Sequence, residues 1–186
     1  MSNIKENLDK LREIIQTENF LYGRGLSNEV NIQIFCYDPS EEMIVRHFWE
    51  QIKKDNTLSC NLIECNLYKV FISICEQKKI LSSIPKMEER KGKDFLLKQL
   101  RNTANEKAFI EKIQYSDHQV GKDVLLLTGV GDVFPFMCVH MLLETLQPYF
   151  SDIPVLVMYP GQYDGHYLKL FNLLKPNDYY RAFNIV

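Results

Sequence analysis

The limits come first from what is missing. In 186 residues no apolar run approaches the length that spans a bilayer. The N-terminus, MSNIKENLDKL, carries no apolar signal core. An excess of either charge is also absent: 22 Lys and Arg stand against 24 Asp and Glu, a net of −2, so no global basic field for nucleic acid exists. The five cysteines (Cys36, Cys60, Cys65, Cys75, Cys138) are odd in number and irregularly spaced. Each lies in an apolar context, which reads as reduced core thiols in a cytoplasmic protein. Cys60 and Cys65 do not have the spacing of a zinc knuckle, and no His pair supports them. There is no Gly-x-Ser-x-Gly elbow. There is no phosphate-cradling loop either: Gly121-Lys122 and Gly92-Lys93 are each followed by Asp and lack the upstream glycine. Repeats and low-complexity tracts are missing.

What is present is a core. Hydrophobic residues make up 46% of the chain, with 11 Phe and 10 Tyr, enough for one α/β domain over residues 1–186. Its most informative stretch is DVLLLTGVGDVFPFMCVH, residues 123–140. Val124 to Leu127 show no polar alternation, the mark of a strand covered on both faces in a parallel sheet. A glycine turn, Gly129-Val-Gly131-Asp132, follows, then a helix expected to run to about Leu146. Further strands are predicted at 31–37, 61–66, 154–159 and 180–186, the last at a sheet edge. Helices are predicted at 3–17, after Asp38, at 67–80 and at 167–174. Residues 20–28, with Gly23-Arg24-Gly25, read as a loop, and Pro176-Asn177-Asp178 as a turn. Asp38 fits an N-cap, Pro39 the first helical position and Glu41 the reciprocal capping-box position. Met43, Ile44, Phe48 and Ile52 are the expected core stripe of that helix, and Val70, Phe71, Ile74 and Cys75 that of the next. Strands separated by helices imply a three-layer, mostly parallel, doubly wound sheet of about five strands. The distal half is P-loop-NTPase-like but lacks the phosphate loop.

Residues 77–122 differ in character. They hold 11 Lys or Arg against six Asp or Glu and read as a basic helical insertion, two helices at about 93–102 and 105–114, packed outside the sheet. A solvated face is the plain reading. A docking surface for an acidic partner is the functional one. The interleaved Glu88, Glu89, Glu106 and Glu111 argue against DNA.

Ligands of such sheets bind at the carboxyl ends of the strands. There the chain places Asp38, Glu64, Thr128 to Asp132 and Tyr159 to Gly165. The four acids Asp38, Glu64, Asp132 and Asp164 could meet on a hard cation, but N-capping accounts for Asp38, Asp132 and Asp164 equally well. The Gly129-Val-Gly131 turn lacks the third glycine of a dinucleotide fingerprint and comes late in the chain. Cys138 and His140 are two apart, which on a helix points them to different sides. His166 is the best-placed histidine for chemistry, though no partner can be named for it. His47 and His118 stand alone. Arg181, among Tyr179, Tyr180 and Phe183, suits either a groove or an edge-strand charge. No metal, cofactor or catalytic residue is assigned. The candidate surface comprises Gly129, Gly131, Asp132, Pro160, Gly161, Tyr163, Asp164, Gly165, His166 and Arg181.

Three strings carry a family resemblance: LTGVGDVFPF at 127–136, YPGQYDGHYLKLF at 159–171 and LKPNDYYRAFNIV at 174–186. With His140 between them, they resemble the small BrxB proteins of BREX phage-defence systems, densely over 123–186 and more loosely before. Where many relatives carry a polar or basic residue this chain has Met137-Cys138. The resemblance implies a cytoplasmic accessory component of an antiviral operon, with no established enzymatic activity. Its implied partners are a PglZ-type protein of the same operon, or the BREX ATPase or methyltransferase; the charge balance disfavours DNA contact, which residues 77–122 would otherwise supply, and no membrane contact is expected. A degenerate nucleotide- or metal-binding enzyme using Asp132, Asp164 and His166 is the alternative.

Overall fold

The computed structural model describes residues 4–24, 31–164, 166–175, 177–178 and 183–186. Helix α1, Ile4–Ile14, buries Ile4, Leu8 and Leu11, the three-to-four-residue spacing read from the sequence. A short α2, Glu18–Leu21, follows, capped by the Thr17 hydroxyl. Strand β1, Ile32–Tyr37, leads through a 3₁₀ turn, Pro39–Glu41, into α3, Glu42–Ile52. Strand β2, Asn61–Asn66, runs straight into α4, Leu67–Gln77, where the Asn66 side chain caps the Lys69 N–H. Helices α5 (Ile84–Lys91), α6 (Lys93–Thr103) and α7 (Glu106–Ile113) come next, then β3, Asp123–Thr128. After β3 stand α8 (Val130–Val133), α9 (Val139–Leu146), β4 (Val155–Tyr163), β5 (Tyr167–Leu170), and two-residue strands β6 (Asn177–Asp178) and β7 (Phe183–Asn184).

The strand order is β2-β3-β4-β1-β7, every neighbour parallel, with β5 and β6 added antiparallel off the end of β4. The chain leaves β1 for the far edge through α3, then returns strand by strand through α4 to α9. Right-handed crossovers in opposite directions put their helices on opposite faces, and the core divides accordingly. Ile34, Leu125, Leu127 and Val157 face α4, α6, α7 and α9. Phe35, Val124, Leu126 and Leu156 face α1 and α3. Alternate residues of each strand thus feed different layers.

Several sequence expectations change. The core stripe of α3 is Val45, Trp49 and Ile52; Met43 is 73% exposed and Ile44 is also outside. The preceding 3₁₀ turn advances by three residues per turn, which shifts the phase of the helix that follows it. Asp38 does cap, accepting from the Ser40 N–H at 2.9 Å, but the Glu41 Oε2 is buried without a partner among the described residues, so no capping box closes. The helix expected to reach Leu146 without a break stops at Val133, because Pro135 drives Phe134 to extended backbone. It resumes at Val139, and the Arg101 Nε donates to the Pro135 carbonyl across the gap at 2.8 Å.

The basic insertion holds three helices rather than two. It is not wholly outside the core either, since Leu96, Leu100, Phe109, Ile110 and Ile113 are buried in it. Strand β4 continues through Pro160 and Gly161, which were read as loop. Residues 167–170 form strand β5 rather than a helix, with Gly161 paired to Leu170. The Gly161 site admits no side chain, since a Cβ there would sit 2.2 Å from the Lys169 carbonyl oxygen. Asn177 and Asp178 pair with β5 instead of turning. The edge strand, expected over 180–186, is present at 183–184 and does not extend to 185–186; residues 180–182, like Gly25 and Pro176, lie outside the described residues. All five cysteines are free. Among the described residues no helix is long and apolar enough to cross a membrane.

Candidate functional site

Parallel strands deliver their carboxyl ends to one edge, where the candidate residues fall into two neighbouring groups. The first is a ledge formed by the turn after β3 and the β4–β5 hairpin. Gly129 opens it at φ 71°, a left-handed conformation in which a Cβ would lie 2.8 Å from the Asn66 Oδ1. Gly131 lies under the hairpin: a Cβ there would be 2.9 Å from the Phe171 ring and 3.2 Å from the Pro160 ring. Phe134 meets Phe171 edge to face, centroids 6.3 Å apart, and the Phe171 N–H donates to the Pro160 carbonyl at 2.8 Å. Gly129, Gly131, Pro160 and Gly161 are thus brought into one wall, with Tyr163 half-buried at its end.

The hairpin tip is organised by Asp164. Its Oδ1 accepts the His166 N–H at 2.9 Å and the Tyr167 N–H at 2.8 Å. Those two bonds, Tyr167 first, hold the carboxyl below the usual carboxylate range. Asp164 shapes a turn and does not cap a helix, because a strand follows it. His166 is exposed. Gly165 and Arg181 lie outside the described residues.

The second group lines a cleft of about 250 Å³ between α3 and the ends of β1 to β4. Asp132 does not line it but is tied to it through Arg46. It sits inside α8, whose N-cap is Gly129, so it is not a cap. The Arg46 guanidinium bridges it at 2.5 Å to Glu42, reached at 2.6 Å, and the Tyr37 hydroxyl donates to Glu42 at 2.6 Å. Burial, then the Glu42 bond, push the Tyr37 phenol upward; the Glu42 bond comes first in raising Arg46. Glu64 is likewise occupied, by Lys53 at 2.7 Å and the Thr128 hydroxyl at 2.9 Å. The Glu50 bond, then that to Glu64, raise Lys53. Asp38 accepts from the Asn172 amide at 3.3 Å.

Each of the four acids that could have met on a cation therefore has a partner of its own. Among the described residues no three His, Cys, Asp or Glu side chains gather as a metal site. Cys138 and His140 border one apolar cavity of about 280 Å³ behind the ledge without bonding each other. Burial lowers the His140 pKa.

Sequence reasoning missed Arg46, Trp49 and Lys69 on the cleft, and Lys53, which reaches Glu64 on it. Their signal was only that α3 must cover the β1 end. It also missed a polar cluster at the opposite edge, and His118 does not stand alone. The His118 Nδ1 lies 2.7 Å from Asp152 and its ring stacks on Phe150. Beside it, buried Asp123 accepts from Asn61 at 2.9 Å, the Gln119 N–H at 3.0 Å and the Tyr115 hydroxyl at 3.1 Å.

Comparison with known proteins adds to this geometry. A family model described as "BREX protein BrxB" matches residues 63–185. A protein named BREX protein BrxB from Bacillus cereus (strain H3081.97) is 38% identical, over 100% of this chain and 99% of its own length. Another of the same name from Escherichia coli O9:H4 (strain HS) is 27% identical, over 98% of this chain and 92% of its own. No solved structure matches.

Proposed function

The chain belongs to the BrxB family and is a component of a BREX phage-defence system, and from that premise we propose that it is a non-enzymatic interaction subunit that docks the PglZ-type protein through the carboxyl-edge ledge. The observation that carries the reading is the state of the edge carboxylates. Asp38, Glu64, Asp132 and Asp164 are each held by a partner within the chain. A catalytic acid or base must reach a substrate proton, whereas carboxylates held this way brace a surface. The ledge is closely packed through Gly131, Pro160 and Phe171, and presents Tyr167 and Leu173 outward, 48% and 85% exposed. Exposed aromatic and aliphatic residues on a fixed platform are the usual anchors of protein docking.

Co-purification from cells carrying the operon tests it. Wild-type protein is expected to retain the PglZ-type protein. Asp164→Ala, which releases the hairpin tip, and Tyr167→Ala are expected to weaken retention about tenfold or more. Absence of a wild-type complex defeats the scaffold reading; intact association in both variants moves the surface elsewhere.

The cleft favours a second reading, a small anionic ligand such as a nucleotide, held by Arg46 and Lys69 in a degenerate nucleotide-binding site. A thermal-shift screen with nucleotides and divalent cations separates the two, because a ligand that binds only the folded state raises its melting temperature. No shift at millimolar ligand removes this second reading.

A further inference from the structure

Helix α5 buries none of its residues. It lies against α6, and between them runs a groove of about 410 Å³ lined by Lys86, Met87, Arg90, Lys91, Phe95 and Gln99 among others. At 100° per residue, positions 86, 87, 90 and 91 share one side of α5, while Glu88 and Glu89 fall on the other. Charge that is mixed along the sequence is therefore sorted in space. The groove side carries three cations and no acid. Among the described residues Lys86, Arg90 and Lys91 form no ion pair; the Lys91 ammonium lies 4.4 Å from the centre of the Phe95 ring. That ring is 36% exposed, and with Met87 it gives the groove an apolar floor.

We propose that the α5–α6 groove receives an acidic amphipathic helix of a partner protein, a second docking surface apart from the carboxyl edge. The charge complement is direct: three cations unpaired with any carboxylate along one side call for acids spaced one turn apart on the guest. The apolar floor calls for aliphatic or aromatic residues on the guest's other seam, the pattern of helix-in-groove recognition. A nucleic-acid backbone suits this groove less well. Phosphate tracking is built from many uncompensated cations, and here Glu88, Glu89 and Asp94 are close in the chain while its net charge is −2.

The test replaces Gln99 at the groove rim, Gln99→p-benzoyl-phenylalanine, in cells carrying the complete defence operon. Irradiation is followed by mass-spectrometric mapping of the attached segment. The expected adduct is a protein segment with a net negative charge and an apolar stripe at three- to four-residue spacing. A synthetic peptide of that segment should bind the purified wild-type chain with an affinity that falls as salt rises. It should bind Lys86→Glu/Arg90→Glu, and separately Phe95→Ala, about tenfold more weakly or worse, each variant melting as wild type does. The adduct should persist in Asp164→Ala, which separates this surface from the ledge. No adduct, an adduct to nucleic acid, an adduct to a segment without acidic excess, or binding indifferent to the charge reversal would each overturn the proposal.

Discussion

Asp123 is 3% exposed and is the one buried carboxylate among the described residues. Burial alone would raise its pKa. The Gln119 N–H, the Asn61 amide and the Tyr115 hydroxyl outweigh that and hold it below its ordinary value. A carboxyl depressed in the folded state stabilises the fold above its unfolded pKa of about 3.9, and that contribution is lost as pH falls through the folded value. Asp123→Asn should therefore melt below wild type at pH 7, with the gap narrowing below about pH 4. Calorimetry across that range checks it, and a gap that stays constant into strong acid would sink the account. Nothing in the sequence singles Asp123 out, because Tyr115 and Gln119 lie in the irregular stretch just before it and Asn61 is brought to it only by the β2–β3 pairing. The glycines of the ledge were more legible. Gly129 and Gly131 stood out as a turn, yet the groups that exclude a side chain there, Asn66, Phe171 and Pro160, are distant in the chain.

At the scale of elements, α3 shows what periodicity can and cannot decide. Both Met43-Ile44-Phe48-Ile52 and Val45-Trp49-Ile52 satisfy a three-to-four spacing, because apolar residues cover much of the helix. Which one meets the sheet depends on how the 3₁₀ turn aims the helix. The choice has a measurable consequence. Trp49→Ala should cost about 3–5 kcal/mol in urea unfolding, the range for a buried aromatic, whereas Met43→Ser should stay within about 0.5 kcal/mol. Similar losses at both positions would refute the phase. The β4–β5 hairpin was misread for a related reason. YLKLFNLL fits a helix through Leu168, Phe171 and Leu174, while its first four residues also fit a strand by alternation, and the burial, Leu168 and Leu170 in with Tyr167 out, follows the strand. Short segments leave the two periods indistinguishable, and the cross-strand partner that settles the matter, Gly161 to Tyr163, begins with glycine just after Pro160 and so reads as a loop in the sequence.

At the scale of the molecule, fold class was legible and strand order was not. Short runs such as VLLL and PVLVM, bounded by Gly or Pro and separated by helical stretches, read as strands covered on both faces, which points to a parallel sheet between helices. Order depends on which crossovers reverse direction, and no local pattern records that. The consequence of the order β2-β3-β4-β1-β7 is kinetic. The first strand lies inside the sheet, and both of its neighbours come from the last third of the chain: Ile32 pairs with Val155, about 120 residues later. Closing so long a loop before any contact rewards it makes folding slow. In refolding followed by pulsed hydrogen exchange, the amides of β1 should gain protection together with those of β4, and protection of β1 ahead of β4 would contradict this. On the ribosome the same topology leaves Ile32, Ile34 and Phe35 unpaired while most of the chain is still being made, a long exposure of apolar strand for which chaperone cover is the natural remedy.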